Sequence, residues 1–130
     1  SAPCARYSRR SAPVNIAAAE ALVALDDPSG IPILKESLSD KSQYYRQRSA
    51  TALGVLRVPE VVPALIVAIA DDDLSVRTSA STALIGALRH LYPYRKFDFA
   101  EIGYDAKSTD AVARGKAIEQ VKAWWEKNKQ

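Results

Sequence analysis

Three segments of the chain repeat one spacing of apolar and small residues. Counted from the first position, these residues fall at i, i+4, i+7, i+8 and i+11, which is one face of an α-helix. The members are Val14, Ala18, Ala21, Leu22 and Leu25, then Tyr45, Ser49, Ala52, Leu53 and Leu56, then Val76, Ala80, Ala83, Leu84 and Ala87. We therefore predict three helices with one buried face each, and the small residues on that face let neighbouring helices come close.

A shift of 31 residues superposes these segments on one another. It places Ala21-Leu22 on Ala52-Leu53 and then on Ala83-Leu84. The further matches are Pro28 with Pro59, Pro32 with Pro63, Asp40 with Asp71 and Arg46 with Arg77. So many matches at one period indicate a repeat array.

A second, shorter helix is predicted after each pair of prolines. Pro32 or Pro63 fits the first turn of a helix, where an N–H has no intrahelical partner anyway. The buried pairs of these helices are Leu34 with Leu38 and Leu65 with Ile69. Helices this short are unstable alone, so contacts with their neighbours must hold them.

The turn before each later long helix carries an Asp six residues ahead of an Arg, as Asp40/Arg46 and Asp71/Arg77. With the Val76-Arg77 step, the Ala-Leu steps and the segment from Pro59 to Leu65, these residues resemble HEAT repeats, in the compact form of the phycobilisome lyase type. The resemblance covers about residues 14–91 and departs from the pattern at Asn15, which stands where Arg is expected. It implies that the Asp/Arg pairs form a structural ladder between successive turns.

The expected fold is therefore all-α, an α-solenoid of about 2.5 to 3 HEAT-like helical hairpins with a C-terminal capping helix. The predicted divisions are a flexible basic segment over 1–13, the array over 14–91, an aromatic-rich loop over 92–108 and the capping helix over 109–130. Within the array, the second helix of a partial repeat occupies 14–25, and two repeats occupy 28–57 and 59–91.

The C-terminal part holds most of the aromatic residues. Five of the chain's ten aromatics stand close together, at Tyr92, Tyr94, Phe97, Phe99 and Tyr104. The final helix has Ala117, Ile118, Val121, Trp124 and Trp125 on a broad apolar stripe, and it also resembles the end of certain bacterial HEAT-like repeat proteins. We expect a cap on the last repeat. The alternative is a partner contact at Trp124 and Trp125, because adjacent side chains point about 100° apart and two indoles need not fit one core.

The N-terminal helix of the array lacks a companion helix. We expect either that upstream repeats were removed or that another chain covers this face, with self-association as one possibility. The sequence contains no Met, which indicates a processed product or a fragment. The compartment stays open, with the cytoplasm as default and export as the alternative. No run of eighteen apolar residues is present, so we expect no membrane span.

The net charge of +3 and the pI of 9.1 raise the question of nucleic-acid binding. The basic residues concentrate at the two ends, in residues 1–10 and 111–130, whereas residues 11–110 have an excess of acidic groups. A continuous positive stripe is therefore absent from the body of the sequence, which argues against binding to a phosphate backbone.

No catalytic, metal or cofactor site is predicted. The lone Cys4 lies in the N-terminal tail and the lone His90 near a helix end, so a nucleophile–base pair has no support. Asp71, Asp72 and Asp73 offer the oxygen ligands that Ca²⁺ prefers, but consecutive side chains diverge and the spacing lacks a calcium-loop pattern. We expect these residues to cap a helix and to face solvent.

Surface recognition remains. By the resemblance, the long second helices line a concave face, and their positions off the core stripe form the columns Ile16/Gln47/Thr78, Glu20/Thr51/Thr82, Val23/Gly54/Ile85 and Ala24/Val55/Gly86. These columns are small, mildly apolar and nearly uncharged, which suits a peptide better than a phosphate backbone. The candidate partner-binding residues are Gln47, Arg48, Thr51, Val55, Thr78, Thr82, Ile85 and Arg89. The alternative is that these columns only face solvent or lie under the C-terminal segment.

The leading hypothesis is a non-enzymatic scaffold that binds a protein or peptide. Three alternatives stay open: a bilin lyase-like subunit that handles a chromophore, which the resemblance alone suggests; a nucleic-acid-binding HEAT-like array; and a purely structural part of a larger chain.

Overall fold

The computed structural model describes residues 12–129, and their secondary structure is helical. The helices are α1 (Ala12–Ala24), α2 (Ile31–Ser37), α3 (Gln43–Leu53), α4 (Val61–Ala68), α5 (Leu74–Leu91), α6 (Phe99–Ile102) and α7 (Ala111–Asn128), and a 3-10 turn spans Pro28–Gly30. The predicted flexible segment lies outside the described residues, as does Cys4, except that residues 12 and 13 belong to α1. No described helix is long and apolar enough to cross a membrane.

Side-chain caps and prolines fix where several helices begin. The carboxylate of Asp73 accepts hydrogen bonds from the N–H groups of Ser75 and Val76, and Asp110 does the same at the start of α7. These bonds satisfy N–H groups that have no partner within the helix. Pro32 and Pro63 stand in the first turns of α2 and α4, as the sequence predicts.

The helices form two layers. The long helices α1, α3 and α5 lie side by side in chain order, and the short helices α2 and α4 pack against them from one side. Leu34, Leu65 and Ile69 of the short-helix segments are fully buried, while Leu38 is half-buried. The predicted all-α solenoid is therefore confirmed.

The buried faces of α3 and α5 are those that the sequence predicts. Ser49, Ala52 and Leu53 are buried on α3, and Leu56 is buried just after its end. On α5 the buried residues are Val76, Ala80, Leu84 and Ala87, and Tyr45 and Ala83 are half-buried. Helix α3 packs against α1 and α2, and α5 packs against α3 and α4. Burial of about 25 cal/mol per Å² of apolar surface makes this stacking the main stabilising contact between units.

The prediction for α1 is wrong. Val14 and Leu25 are 53% and 79% exposed, Ala18 and Ala21 are also exposed, and Leu22 is only half-buried. The buried residues are instead Asn15, Ile16, Ala19 and Val23. Among the described residues α1 packs against the 3-10 turn, α2 and α3, so its buried face turns toward later helices. In α3 and α5, by contrast, the equivalent face is covered by the helices that precede each of them.

One ion pair joins successive turns. Arg46, in the first turn of α3, donates from Nε and Nη2 to the two carboxylate oxygens of Asp71, at 2.8 and 3.2 Å. The same guanidinium donates from Nη1 to the carbonyl of Asp40 within its own turn. The Asp71 hydrogen bonds raise the pKa of Arg46 above its ordinary value. One rung of the expected ladder is thus present, between Arg46 and Asp71.

The next arginine uses backbone acceptors only. Arg77 is buried and donates from Nη1 to the carbonyls of Asp71 and Asp72, each at 2.9 Å. Its Nε donates to the carbonyl of Ala106 at 2.8 Å. The C-terminal segment therefore supplies the acceptor that a following repeat would supply through an Asp.

The segment over 92–108 is more ordered than the predicted loop. Asp98 caps α6 by accepting from the N–H of Ala100, and Gly103 ends it with a φ of 93°, a left-handed conformation that favours glycine. Phe97 and Tyr104 are buried, and the Tyr104 hydroxyl donates to the carbonyl of Ile69 at 2.7 Å. This segment is therefore fixed to the last repeat.

Candidate functional site

An open groove lies between α3 and α5, on the side away from α2 and α4. Its volume is about 700 Å³, and its lining residues are Thr51, Gly54, Val55, Arg57, Thr78, Ser79, Thr82, Ala83 and Gly86. A second depression of about 530 Å³ shares Thr78 and Ser79 with it and continues toward the N-terminal ends of both helices. Gln47, Asp73, Leu74 and Ser75 also line that depression. We call the two together the α3–α5 groove.

Small residues create this groove. A Cβ atom at Gly54 would lie 2.6 Å from the Cβ of Ala83, which is closer than real Cβ atoms approach. The two helices therefore touch at this point, and no large side chain rises from the floor. Gly86, one turn further along α5, leaves space that the Arg57 guanidinium partly covers, since Nη2 lies 3.8 Å from where a Cβ would stand.

The structure brings most of the predicted binding residues to this face. Thr51, Val55, Thr78 and Thr82 line the groove, and Gln47 lines its continuation. Ile85 is half-buried against the core, and Arg89 is exposed one turn after Gly86. Arg48 forms an ion pair with Glu20 of α1 instead, and its guanidinium lies 5.6 Å from the centre of the Tyr44 ring.

Two residues of the proposed columns are not on the surface. Ile16 is fully buried and Val23 is 1% exposed, because α1 turns this face toward α2 and α3. The predicted columns do not contain several of the lining residues, among them Ser79 and Arg57. Ser79 faces the groove from between the columns of α5, and Arg57 lies after the end of α3, where a helical column does not reach.

The three groove threonines present acceptors. Thr51, Thr78 and Thr82 each donate the hydroxyl hydrogen to the carbonyl four residues earlier in the same helix, at 2.9 to 3.1 Å. Because each hydroxyl has one hydrogen, these side chains can only accept a further hydrogen bond. The middle of the groove therefore combines methyl groups with acceptor oxygens and suits a ligand that carries N–H groups.

The charges of the groove are unevenly placed. Among its lining residues, Arg57 stands toward the C-terminal end of α5 and Asp73 at its N-terminal end, and the exposed Arg89 lies one turn beyond Gly86. Hydrogen bonds from Ser75 lower the pKa of the Asp73 carboxyl, which favours its ionised form. The same carboxylate caps α5. Between the two ends the lining is uncharged. A ligand with its own polarity would have a preferred direction here.

The opposite face carries a smaller groove of about 340 Å³ between α2 and α4. Its lining includes Lys35, Leu38, Ser39, Pro63 and Val67, and Val67 is 66% exposed. We call it the α2–α4 groove. The sequence analysis proposed no binding site there, because its candidate columns came from the long helices alone.

The two adjacent tryptophans lie in one aromatic cluster. Trp125 is 8% exposed, and Trp124 is half-buried with its Nε1 donating to the carbonyl of Lys96 at 2.9 Å. Tyr92 contacts both rings edge-on, at 6.2 and 5.9 Å between centroids, and Phe97 contacts Trp124 at 5.0 Å. Both indoles therefore contact one aromatic cluster, which agrees with the expected cap, and a partner contact at Trp124 and Trp125 stays a prediction.

The residues considered above for catalysis or metal binding have the following positions in the structure. His90 is exposed in the last turn of α5. Within residues 12–129 no three His, Cys, Asp or Glu side chains lie together as metal ligands would. Asp71 and Asp73 instead serve the ion pair with Arg46 and the cap of α5.

Comparison with known families agrees with this architecture. The HEAT repeats family matches residues 31–90, and the PBS lyase HEAT-like repeat family matches residues 14–40. The chain belongs to the HEAT-like repeat family. No curated protein and no solved structure matches it.

Beyond the matched range, the start of α7 repeats one feature of the long helices. Arg114 stands four residues after the capping Asp110, as Arg77 stands four after Asp73, and its Nη1 donates to the carbonyl of Ser108, six residues back. Arg46 and Arg77 make this same bond, to Asp40 and Asp71. Helix α7 therefore begins as the long helix of a unit does, and the signal in the sequence is the Asp110/Arg114 spacing.

The contacts of α7 agree with the expected cap on the last repeat. Arg77 near the start of α5 binds Ala106, and Tyr92 just after α5 donates to the carbonyl of Lys129, so α7 runs in the same direction as α5. Its buried side is Arg114, Ala117, Ile118, Val121, Trp125 and Asn128. The remaining face is mostly exposed and carries Lys116, Glu119, Lys122 and Lys127. A charged outer face is what a terminal unit needs.

Proposed function

We propose that this HEAT-like repeat domain acts as a non-enzymatic scaffold that binds a segment of another protein in the α3–α5 groove. The observation that carries the proposal is the groove itself. Exposed side chains of two neighbouring units converge on one open channel of about 700 Å³, a size within the range of ligand-binding clefts.

The lining favours an extended polypeptide. Val55 is 54% exposed and offers apolar surface, and the Thr51 and Thr82 oxygens accept hydrogen bonds such as those of backbone N–H groups. A phosphate backbone would call for Lys or Arg along the length of the channel, whereas cations stand at one end only. HEAT-like repeats commonly mediate contacts between proteins, which agrees with this choice.

The test compares two variants, each with two added carboxylates. One variant carries them in the α3–α5 groove and the other carries them on the opposite face. Thr51→Glu with Thr82→Glu charges the α3–α5 groove, and Ser39→Glu with Val67→Glu charges the α2–α4 groove. All four positions are exposed, so both variants should fold. We expect quantitative mass spectrometry of proteins captured from the source lysate to show a protein that the first variant loses and the second retains. Equal capture by both variants would reject the groove.

A further inference from the structure

Two arginines at one end of the α3–α5 groove differ from the other arginines of the molecule. Among residues 12–129, five arginines donate hydrogen bonds to protein acceptors: Arg46, Arg48, Arg77, Arg95 and Arg114. Arg57 and Arg89 make no hydrogen bond or ion pair with any described residue. Both are exposed; Arg57 lines the groove, and Arg89 follows the lining residue Gly86 by three residues on α5.

Both arginines stand near Gly86. Nη2 of Arg57 is 3.8 Å from the position that a Cβ of Gly86 would take. Arg89 follows Gly86 by three residues on the same helix, and side chains at this spacing start about 5–6 Å apart. Gly86 contributes no side chain of its own, so the space beside it at this end of the groove is within reach of both arginine side chains.

This space suits a carboxylate. A guanidinium group binds carboxylate oxygens through short charge-assisted hydrogen bonds, and two such groups can hold both oxygens. The arginines stand toward the C-terminal end of α5, where a helix presents carbonyl groups rather than N–H groups. Capture of a free chain terminus relies on clustered backbone N–H groups, so the geometry favours an acidic side chain inside a segment.

We propose that the segment bound in the groove carries an Asp or Glu side chain that binds between Arg57 and Arg89. The residues beside this acidic residue lie along the middle of the groove, where Thr82 and Thr51 accept hydrogen bonds from their N–H groups. This inference rests on the proposed function and adds the chemical class of the partner.

The experiment uses three pools of blocked heptapeptides with random flanks and a fixed central residue, Glu, Gln or Lys. Each pool is titrated into isotopically labelled protein, and the amide signals of Thr51, Thr82 and Gly86 are followed by NMR. We expect the Glu pool to shift these signals with an affinity at least about tenfold above that of the Gln pool. The Lys pool should give no shift, because the like charges repel.

A matched pair of variants assigns the effect to the two arginines. Arg57→Gln with Arg89→Gln should make the Glu and Gln pools bind alike. Lys116→Gln with Lys127→Gln removes the same charge from the exposed face of α7 and should leave the preference for Glu unchanged. Persistence of the preference in the first variant would overturn the inference.

The remaining outcomes separate the two proposals. Equal binding of the Glu and Gln pools to the unmodified groove would overturn the acidic partner and leave the peptide groove standing. Failure of every pool to shift the groove signals would count against both. Displacement of the Glu pool by a short oligothymidine that shifts the same signals more strongly would replace the peptide with a nucleic acid.

Discussion

Arg46 binds Asp71 across 25 residues of sequence, through two hydrogen bonds of 2.8 and 3.2 Å. Both side chains are largely buried, at 19% and 13% exposed, so water weakens the pair less than it would on an open surface. The contact joins the first turn of α3 to the turn before α5. It fixes the register of one unit on the next, and hence the two walls of the α3–α5 groove.

Replacing Asp71 with Ala should lower the free energy of unfolding by about 1–2 kcal/mol, because the Arg46 guanidinium loses its charged acceptor. Asp72 is the matched control, since its exposed side chain stands one residue away. Asp72→Ala should change stability by less than about 0.5 kcal/mol. Urea unfolding followed by circular dichroism measures both. Equal effects at the two positions would contradict the role given to the pair.

Gly54→Ala should destabilise the protein by about 1–3 kcal/mol. The added Cβ would lie 2.6 Å from the Cβ of Ala83, so α3 and α5 would have to move apart. Gly115→Ala is the control, because a Cβ there meets nothing within 4 Å and the residue lies inside α7. That change should stabilise by about 0.5–1 kcal/mol. Thermal melts showing the same sign for both variants would argue against the close contact.

Tyr104 should make stability depend on pH in alkaline solution. Burial raises the pKa of its phenol, even though a hydrogen bond with Ser81 and nearby arginines act the other way. The unfolded state then loses this proton near pH 10 while the folded state keeps it, so the contribution is full below about pH 10 and falls as pH rises further.

The measurement for Tyr104 compares the protein with the variant Tyr104→Phe. Near neutral pH the variant should be less stable by about 1–2 kcal/mol, because the carbonyl of Ile69 loses its donor. This difference should shrink between about pH 9 and about pH 11. A constant difference over that interval would show that Tyr104 does not titrate in this way.

Trp125→Ala should cost about 3–5 kcal/mol, since it removes the largest buried side chain of the C-terminal cap. Val112→Ala on the same helix should cost little, because Val112 is 68% exposed. Denaturant unfolding distinguishes the cap from a partner contact. If the Trp125→Ala variant kept its stability but no longer captured a partner protein, the result would favour a partner contact at Trp125 over a cap.

The sequence predicts the fold well where one unit packs on another. The buried faces of α3 and α5 follow from the 31-residue period, because each such helix has a unit before it and meets the same neighbours. Helix α1 does not meet the same set of described neighbours, so the period assigns its buried face wrongly. For α1, the large apolar side chains of Ile16 and Val23 indicate the buried face better than the period does, because such residues are most often buried.

The site is only partly predictable. The columns of Thr51, Thr82 and Val55 follow from helical geometry, whereas Arg57 reaches the groove from beyond the end of α3. Its position depends on the path of the turn between α3 and α4, which no periodic pattern encodes. In the same way, the Asp110/Arg114 spacing is present in the sequence, but it follows Asp73/Arg77 by 37 residues, so a search at the 31-residue period does not find it.

Self-association through α1 stays a prediction. The exposed face that it would use contains Ala18, Ala21 and Leu25, and Leu25 is 79% exposed. Sedimentation velocity of the protein and of Leu25→Glu would test it. A dimer that dissociates on Leu25→Glu would support self-association through α1. A monomer for both proteins would contradict it.

Site-specific photo-crosslinking tests the central claim most directly. Val55→p-benzoylphenylalanine places the probe in the α3–α5 groove, and Val67→p-benzoylphenylalanine places it in the α2–α4 groove, at a side chain of similar exposure. We predict light-dependent adducts to a partner protein from position 55, suppressed by Thr82→Glu, and none to that protein from position 67. Equal adducts from both positions, or adducts from position 67 alone, would contradict a binding site in the α3–α5 groove.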